Sequence, residues 1–213
     1  MKYKNRTDKF FNKEDQERIT RTIHDIESRT IGEVAVMVVD SSDRYHETEV
    51  VGGILLGSFL ALIVTLLFFH SSIWSYIPLS FLFFFPSKYL LQKVPVLKAK
   101  FIGLQRKEHT VRQKALSAFY EKGLYKTRNN TGVLFFLSLL ERRVWVLADK
   151  GIYERIDQET LSRFATIVSQ GIKDGRACDA LCDAIRRSGE LLTKHFPITP
   201  DDTNELPDEV MTE

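Results

Sequence analysis

The sequence predicts an α/β fold in which a small central sheet is flanked by helices and the chain is interrupted by a two-helix transmembrane hairpin. Three observations lead to this prediction. The chain has 213 residues and is 27% charged, yet residues 50–87 contain no Asp, Glu, Lys or Arg. Short apolar runs typical of buried strands lie on both sides of this stretch. Elsewhere, apolar residues recur at helical spacing.

The N-terminal piece, residues 1–49, is predicted to form one helix and one strand. We expect the helix over residues 12–29, because Asn12 is a favourable N-cap and a stripe of isoleucines follows it. The apolar run 33–39 is typical of a strand that is buried on both faces. One helix and one strand are too little to fold alone. This piece should therefore share a sheet with residues beyond the apolar stretch.

Residues 50–92 are predicted to form the transmembrane hairpin, with spans over about 51–69 and 73–91 and a tight turn at 70–72. A helix rises about 1.5 Å per residue and needs about 20 residues to cross the hydrocarbon core of a bilayer. One helix over the whole stretch would be nearly twice too long, whereas two crossings fit.

Several residues shape this prediction. Gly53 and Gly57 form a pair of small residues that allows two helices to pack closely in lipid. Pro78 and Pro86 are expected to bend the second helix. Two alternatives stay open, namely a hairpin that enters the bilayer without crossing it and a pair of core helices in a soluble protein.

The segment after the second span is basic and predicts the orientation of the hairpin. It contains no acid among its first charged residues, which are Lys88, Lys93, Lys98, Lys100, Arg106 and Lys107. Positive charge beside a span indicates the cytoplasmic side, so both termini and the soluble domain of this multi-pass protein are predicted to be cytoplasmic. The lipid bilayer is the predicted partner of this stretch. A net charge of +2 gives no reason to expect a nucleic-acid partner.

The second polar piece, residues 93–196, is predicted to complete the domain. A helix is expected over 101–122, and the apolar runs 132–140 and 143–148 should form an antiparallel hairpin. Two further helices are expected over 158–172 and 177–195.

The last residues, 197–213, are acidic, with no Lys or Arg, and are predicted to form a disordered tail. Docking of this tail against the basic stretch is a weaker alternative. Cys178 and Cys182 lie four residues apart in a predicted helix, where we expect them to pack rather than to form a disulfide or to bind a metal.

A resemblance to a known family rests on residues 127–152, which read Thr-Arg-Asn-Asn-Thr-Gly-Val-Leu-Phe-Phe-Leu-Ser-Leu-Leu-Glu-Arg-Arg-Val-Trp-Val-Leu-Ala-Asp-Lys-Gly-Ile. This segment resembles the TPM domain, which a thylakoid-lumen acid phosphatase, photosystem II repair proteins and many bacterial membrane proteins share. Residues 27–33, 118–124 and 195–197 are similar to further parts of that domain. The Gly-rich run that precedes the second strand in many relatives is replaced here by Asn129-Asn130.

The resemblance implies an α/β sandwich and, from its branch with a membrane hairpin, a location in the bacterial inner membrane. It also implies a pocket of acids for a divalent cation at the end of the sheet, and phosphatase activity such as some plant members have. Fold alone does not settle function.

Asp149 and Glu33 are the candidate metal ligands, and the expected ion is Ca²⁺ or Mg²⁺. Carboxylate oxygens suit these hard cations, and the two residues could meet at one sheet edge because Glu33 begins one strand and Asp149 follows another. Glu27 and Asp40 are further candidates, although Asp40 lies at the opposite end of its strand from Glu33.

The alternative for both candidates is structural. Asp149 would then cap the turn at Gly151, and Glu33 would pair with Arg142 or Arg143. No phosphate-binding loop and no nucleophile motif of a phosphatase is found, so no organic cofactor and no catalytic residue is predicted. The histidines His24 and His109 are expected to be surface residues.

These observations leave three functions open, and the sequence does not decide whether the protein is an enzyme. The leading hypothesis is a membrane-anchored module that binds a membrane-protein partner, with or without a divalent cation, and aids assembly or quality control. The alternative from another class is a divalent-metal-dependent phosphatase at the membrane face. The third is a purely structural anchor.

Overall fold

The computed structural model describes residues 7–69, 73–200 and 204–213. The predicted turn at 70–72 and residues 201–203 of the predicted tail lie outside the described residues. The elements in chain order are α1 (Thr7–Phe10), α2 (Lys13–Glu27), β1 (Glu33–Val39), α3 (His46–Phe68), α4 (Ile73–Lys93), α5 (Pro95–Phe101), α6 (Leu104–Glu121), a 3-10 turn (Leu124–Lys126), β2 (Gly132–Ser138), β3 (Arg143–Ala148), α7 (Lys150–Tyr153), α8 (Gln158–Lys173), α9 (Ala177–His195) and β4 (Met211–Thr212).

The chain divides into two compact units. One comprises residues 1–42 and 108–213, and we call it the α/β unit; the other comprises residues 43–107, and we call it the helical unit. The helical unit is thus an insertion between β1 and β2.

The sheet of the α/β unit is mixed and has four strands in the order β3-β2-β1-β4. β1 runs parallel to β2, with Glu33 opposite Gly132. β2 and β3 form an antiparallel pair, with Val133 opposite Ala148. The prediction that these three strands share one small sheet, with helices around it, is confirmed.

Helices cover both faces of this sheet, which is why its strands read as continuous apolar runs. Alternate side chains of β1 explain the two faces. Val34, Val36 and Val38 pack into a core with α2, α8 and α9. Ala35 and Met37 pack into a second core on the opposite face, with α6. Every residue of β1 and β2 is buried as a result.

The first long helix begins where the sequence predicts. Asn12 accepts a hydrogen bond from the backbone N–H of Asp15 at 2.8 Å, and the Asp15 carboxylate accepts one from the N–H of Asn12 at 3.2 Å. This reciprocal arrangement satisfies two of the donors that a helix start leaves unpaired. Asp157 caps α8 by accepting from the N–H of Thr160.

The prediction of a disordered tail over 197–213 is wrong for the part that the structure describes. β4 pairs with β1 in parallel, with Met211 opposite Met37. The side chains of Leu206 and Met211 pack against the core on the α6 face. Composition suggested disorder, whereas burial of these apolar side chains and closure of the β1 edge hold the segment.

Two acids in the described part of this segment have partners within the α/β unit. The Glu205 carboxylate accepts from the backbone N–H of Arg128 at 2.8 Å. The Glu213 carboxylate pairs with Lys114 at 2.8 Å. These contacts add to the strand pairing and the apolar packing of the C-terminal segment.

In the helical unit, α3 and α4 pack closely through glycines. A Cβ atom on Gly57 would lie 2.9 Å from the backbone nitrogen of Phe84, and one on Gly53 would lie 3.3 Å from that of Lys88. Backbone atoms cannot move aside as a flexible side chain can, so glycine is needed for this approach. The pairing of Gly53 and Gly57 that the sequence singled out is used here.

Among the helices that the structure describes, α3 alone is long and apolar enough to cross a membrane. The mean hydropathy of its most apolar stretch is 2.6. α4 is of similar length but contains Pro78, Pro86 and Lys88. It is not apolar enough to count as a candidate span. By length and composition, one of the two predicted spans is thus found as a candidate span.

A buried ion pair ties the start of α3 to the end of the helical unit. Lys98 donates to the Glu49 carboxylate at 2.6 Å, and the Gln92 side-chain amide donates to its other oxygen at 3.0 Å. The side chains of Lys98 and Glu49 are only 12% and 7% exposed. A buried carboxylate needs such partners, because loss of one leaves an uncompensated charge.

Glu27 ends α2 and is buried against the edge of β1. Its carboxylate accepts a hydrogen bond from the backbone N–H of Val34 at 2.8 Å. Burial raises the pKa of Glu27 to about 9; the hydrogen bond from Val34 opposes this rise, and the charges of Glu33 and Asp208 add to it. The group is therefore protonated in the folded protein at neutral pH.

We expect Gly57→Val to destabilise the helical unit by roughly 1–3 kcal/mol, the usual cost of overpacking a close contact. The added carbon atoms would meet the backbone of Phe84 and push α4 away from α3. The measurement is unfolding of the detergent-purified protein. Gly103→Val is the matched control, since a Cβ atom there meets nothing within 4 Å. Equal stability of the two variants would contradict the close approach.

A second prediction concerns pH and Glu27. Between pH 4.5 and 9 the folded state keeps a proton that the unfolded state releases, so the free energy of unfolding should fall as pH rises. The expected slope is roughly 1 kcal/mol per pH unit. Glu27→Gln carries no charge at any pH and keeps an acceptor for Val34. It should flatten this dependence and be more stable than the wild type near the upper end of the window.

Denaturant unfolding across this window tests the prediction. Glu121→Gln removes an exposed acid and should leave the slope unchanged. If Glu27→Gln keeps the wild-type slope, another group is responsible for it.

Candidate functional site

The structure places the two predicted metal ligands at the same end of the sheet, where β1 and β2 begin and β3 ends. Glu33 lies opposite Gly132 on β2, and the backbone N–H of Asp149 donates to the carbonyl of the same Gly132 at 2.8 Å. Glu33 and Asp149 thus flank Gly132, one on each neighbouring strand. Their backbones are two strand spacings apart, or about 10 Å.

Each of the two residues has its own structural role. The Glu33 carboxylate accepts from the N–H of Glu205 at 3.3 Å. Asp149 is the N-cap of α7 and accepts from the N–H of Lys150 at 2.7 Å. A Cβ atom on Gly132 would lie 2.5 Å from the carbonyl oxygen of Leu124, so the 3-10 turn is packed against the strand position between them.

The two structural alternatives, a turn cap for Asp149 and an ion pair with arginine for Glu33, have different outcomes. Asp149 caps the turn that contains Gly151, as that alternative expected. Glu33 does not lie near Arg142 and Arg143, because Arg143 pairs with Ser138 at the other end of the sheet. Pairing of Glu33 with these arginines is thus wrong.

The two further acids that the sequence considered are also used in the fold. Glu27 accepts a hydrogen bond from the N–H of Val34 in β1. Asp40 lies at the far end of β1 and accepts from the N–H of Thr7 at 2.9 Å. Over residues 7–69, 73–200 and 204–213, no group of three or more His, Cys, Asp or Glu side chains could hold a metal ion. A metal site at Asp149 and Glu33 stays a prediction.

A groove runs along β3, at the edge of the sheet opposite to β4, and we call it the β3 groove. It consists of two cavities of about 660 and 350 Å³ that share the lining residues Trp145, Gln158 and Ser162. The larger cavity lies between α6 and α7 beside β3 and has aromatic walls, including Phe119 and Tyr120. The smaller cavity is lined mainly by β3 and α8.

Two buried polar atoms of this groove have no hydrogen-bond partner among the described residues. They are the indole Nε1 of Trp145 and the carboxylate Oδ2 of Asp149. An unsatisfied buried polar atom costs free energy, so a donor and an acceptor remain for a bound molecule. Oδ2 is the oxygen of Asp149 that could bind a ligand, because Oδ1 already accepts a hydrogen bond from the N–H of Lys150.

Other polar groups surround these two atoms. The Arg112 guanidinium lies over the Trp145 ring, 5.9 Å from its centroid. The Tyr153 hydroxyl accepts from the N–H of Ala148 at 3.5 Å. Burial raises the pKa of Tyr153, while the hydrogen bond with Ala148 and the charge of Arg112 oppose the rise, so the phenol stays neutral at physiological pH.

The β3 groove carries a net positive charge. Its two acids, Glu108 and Asp149, are outnumbered by basic residues. The basic residues are Arg112, Arg143, Lys150 and Lys173. Apolar walls combined with several donors are suited to binding an acidic ligand.

A second polar cluster lies at the other end of the sheet, around the buried Glu141. Its carboxylate accepts from the N–H of Ser42 at 3.0 Å and from the hydroxyl of Ser138. The cluster joins the β2–β3 turn to the segment that leaves β1. These hydrogen bonds hold the two segments together and have a structural role.

The two cysteines are buried in the fold, whereas His24 lies on its surface. Cys178 and Cys182 are buried and not disulfide-bonded, and burial raises the pKa of the Cys178 thiol to about 12, which makes it unreactive. His24 is exposed and lies 3.5 Å from the Asp208 carboxylate. Packing of the cysteines in a helix, as the sequence predicted, is what the structure shows.

Sequence reasoning found Asp149 but missed the rest of the β3 groove. Trp145 was a detectable signal, because a large amphipathic ring in an otherwise aliphatic strand indicates an edge or an interface. Arg112 could not be found in this way, since only the packing of α6 on the sheet brings it to Trp145.

Comparison with known proteins supports the fold alone. No protein-family model matches the chain, and a search of curated proteins gives no match. Among solved structures, the chain is similar to the NMR structure of the BA42 protein from the psychrophilic bacterium Bizionia argentinensis, with a TM-score of 0.60. The identity is 19%, and the match covers 96% of each chain. At this identity the similarity concerns architecture, and the chain therefore shares its fold with a bacterial protein.

Proposed function

We propose that this protein is a membrane-anchored module that binds a membrane-protein partner through its α/β unit and aids assembly or quality control. The observation that carries the proposal is the apolar and largely exposed surface of α3. This helix is long and apolar enough to span a bilayer, and only 28% of its most apolar stretch is buried. A core helix of a soluble protein would be mostly buried, so lipid is the environment that this surface fits.

The surface of the helical unit supports the same proposal. Large apolar side chains of both α3 and α4 are exposed, among them Leu55, Phe59, Leu67, Phe81, Leu82 and Phe85. Trp74 is 83% exposed at the start of α4, in a position suited to a membrane–water interface. We propose that α3 and α4 cross the bilayer as a hairpin, with spans near residues 51–69 and 73–91.

Charge gives the proposed orientation. Lys93 is the last residue of the second helix, and Lys100 and Lys107 follow it. Lys98 is bound to Glu49 within the helical unit. Positive charge at this end of a hairpin favours the cytoplasmic side for both ends. The hairpin would then lie in the inner membrane of a bacterium, and the α/β unit would lie on its cytoplasmic side.

The α/β unit supplies the binding part of the proposal. Helices on both faces of a small sheet are the arrangement that the resemblance of residues 127–152 to the TPM domain implies, and we propose on this basis that the unit belongs to that family. The β3 groove offers unpaired polar atoms, apolar walls and positive charge, which together suit recognition of another molecule.

Cysteine accessibility tests the topology. The native thiols are buried, so introduced cysteines at exposed positions are the probes. Trp74→Cys, beside the turn, should react with a membrane-impermeant maleimide in intact spheroplasts. Lys173→Cys, on the α/β unit, should react only after the membrane is permeabilised. Reaction of both before permeabilisation, or of neither, would contradict the hairpin.

A divalent cation at Asp149 is a further part of the proposal. Its buried Oδ2 has no partner in the described part of the chain, and a cation bound only to the native state would stabilise it. We expect Ca²⁺ or Mg²⁺ to raise the Tm of the detergent-purified protein and Asp149→Asn to abolish that rise. Glu154→Gln, at an exposed acid nearby in sequence, is the control. If neither ion shifts the Tm, the cation is not part of the function.

A further inference from the structure

In the part of the chain that the structure describes, no strand pairs with the outer edge of β3. Because the N–H of Asp149 donates to Gly132 of β2, and backbone groups alternate sides along a strand, the N–H and C=O of Leu147 and Trp145 also face β2. Those of Val144, Val146 and Ala148 therefore face the β3 groove.

These outward groups are recessed. Val144, Val146 and Ala148 are only 7%, 2% and 7% exposed. The N–H of Ala148 donates weakly to Tyr153, and the structure gives Val144 and Val146 no hydrogen bond on this side within the residues it describes. Buried backbone polar groups are nearly always paired in proteins. A row of unpaired ones at the base of a groove is a template for another strand.

The two cavities of the β3 groove fit the side chains of such a strand. Successive side chains of a strand point to opposite faces of the sheet. A strand placed beside β3 would therefore direct alternate side chains towards the larger cavity, with its aromatic walls at Phe119 and Tyr120, and towards the smaller cavity beside α8.

Charge indicates which strand would fit. Arg143 and Lys173 line the smaller cavity, and Arg112 and Lys150 line the larger one. Acidic side chains of an added strand would meet these cations at the rim. The opposite edge of the same sheet shows the principle within this chain, because the acidic C-terminal segment pairs there through β4 and its Glu213 contacts Lys114.

From this geometry we propose that the β3 groove binds an extended acidic peptide segment of a protein partner, which pairs with β3 as an added fifth strand. Its backbone would pair with Val144 and Val146, its apolar side chains would enter the larger cavity, and its acids would face Arg143 and Lys173. This inference rests on the proposed partner-binding function and names the class of partner.

The probe is a fluorescent peptide that alternates glutamate with valine or phenylalanine, titrated into the detergent-purified full chain and followed by anisotropy. Two further peptides carry N-methyl groups on one or the other set of alternate backbone nitrogens. In strand addition, only one set donates to β3. One methylated peptide should therefore lose affinity by about tenfold or more, and the other should bind as the parent does.

Protein variants locate the binding in the groove. Lys173→Glu should weaken binding about tenfold, because it would repel the acidic side chains of the peptide that face it. Arg186→Glu makes the same change of charge on α9, away from the groove, and should leave binding unchanged. Ser162→Trp, which fills the shared part of the two cavities, should block binding, whereas Arg163→Trp on the same helix should not. Hydrogen exchange should slow at Val144 and Val146 when the peptide is bound.

Three results would overturn the proposal. They are absence of binding at about 1 mM peptide, equal effects of the two methylation patterns, and unchanged affinity in both Lys173→Glu and Ser162→Trp. Because binding is measured in detergent, its result does not depend on the topology experiment. Loss of peptide binding with the topology intact would refute strand addition alone.

Discussion

The parallel pairing of β1 with β2 is the interaction on which the α/β unit depends. β1 precedes the helical unit and β2 follows it, so the sheet forms only when two distant parts of the chain meet. All residues of both strands are buried, and a slip of one residue would exchange the side chains of the two faces. Glu141 reinforces this junction, since it binds both Ser138 at the end of β2 and Ser42, where the chain leaves β1.

Carboxylates complete the backbone hydrogen bonding around this sheet. Glu27 accepts from Val34 at the end of β1 that β4 does not reach, and Asp149 caps the helix that leaves β3. Strand edges and helix starts leave N–H groups unpaired, and an acid is a strong acceptor for them. The acids that a sequence suggests as metal ligands are thus placed first by the needs of the backbone. Asp149 in addition keeps a buried oxygen without a hydrogen-bond partner among the described residues.

Much of the fold could be predicted from sequence because its signals are local. β1 and β3 have the predicted bounds, since each is a short apolar run between polar residues, and α9 has its predicted bounds as well. The C-terminal strand was missed for the opposite reason. Met211 and Leu206 are isolated apolar residues among acids, and only their packing under the sheet gives them order.

The candidate site was predictable only in part, because it arises from register and not from a motif. Asp149 was found as an acid that follows a strand. The outward direction of the Val146 backbone depends on the bond between Asp149 and Gly132, and the position of Arg112 depends on how α6 packs. No pattern of residue types in the sequence encodes either relation.

The two edges of the sheet differ, and this difference connects the fold with the proposed binding. An edge strand in water is usually protected by charge, by proline or by a covering segment. The chain covers β1 with β4, whereas β3 has a single charged residue, Arg143, and lies between α6 on one face and α8 on the other. A recessed edge of this kind excludes a second sheet, because the flanking helices would collide with it, but it admits one extended chain. The helices that protect β3 from aggregation are therefore the same ones that shape it for a single peptide.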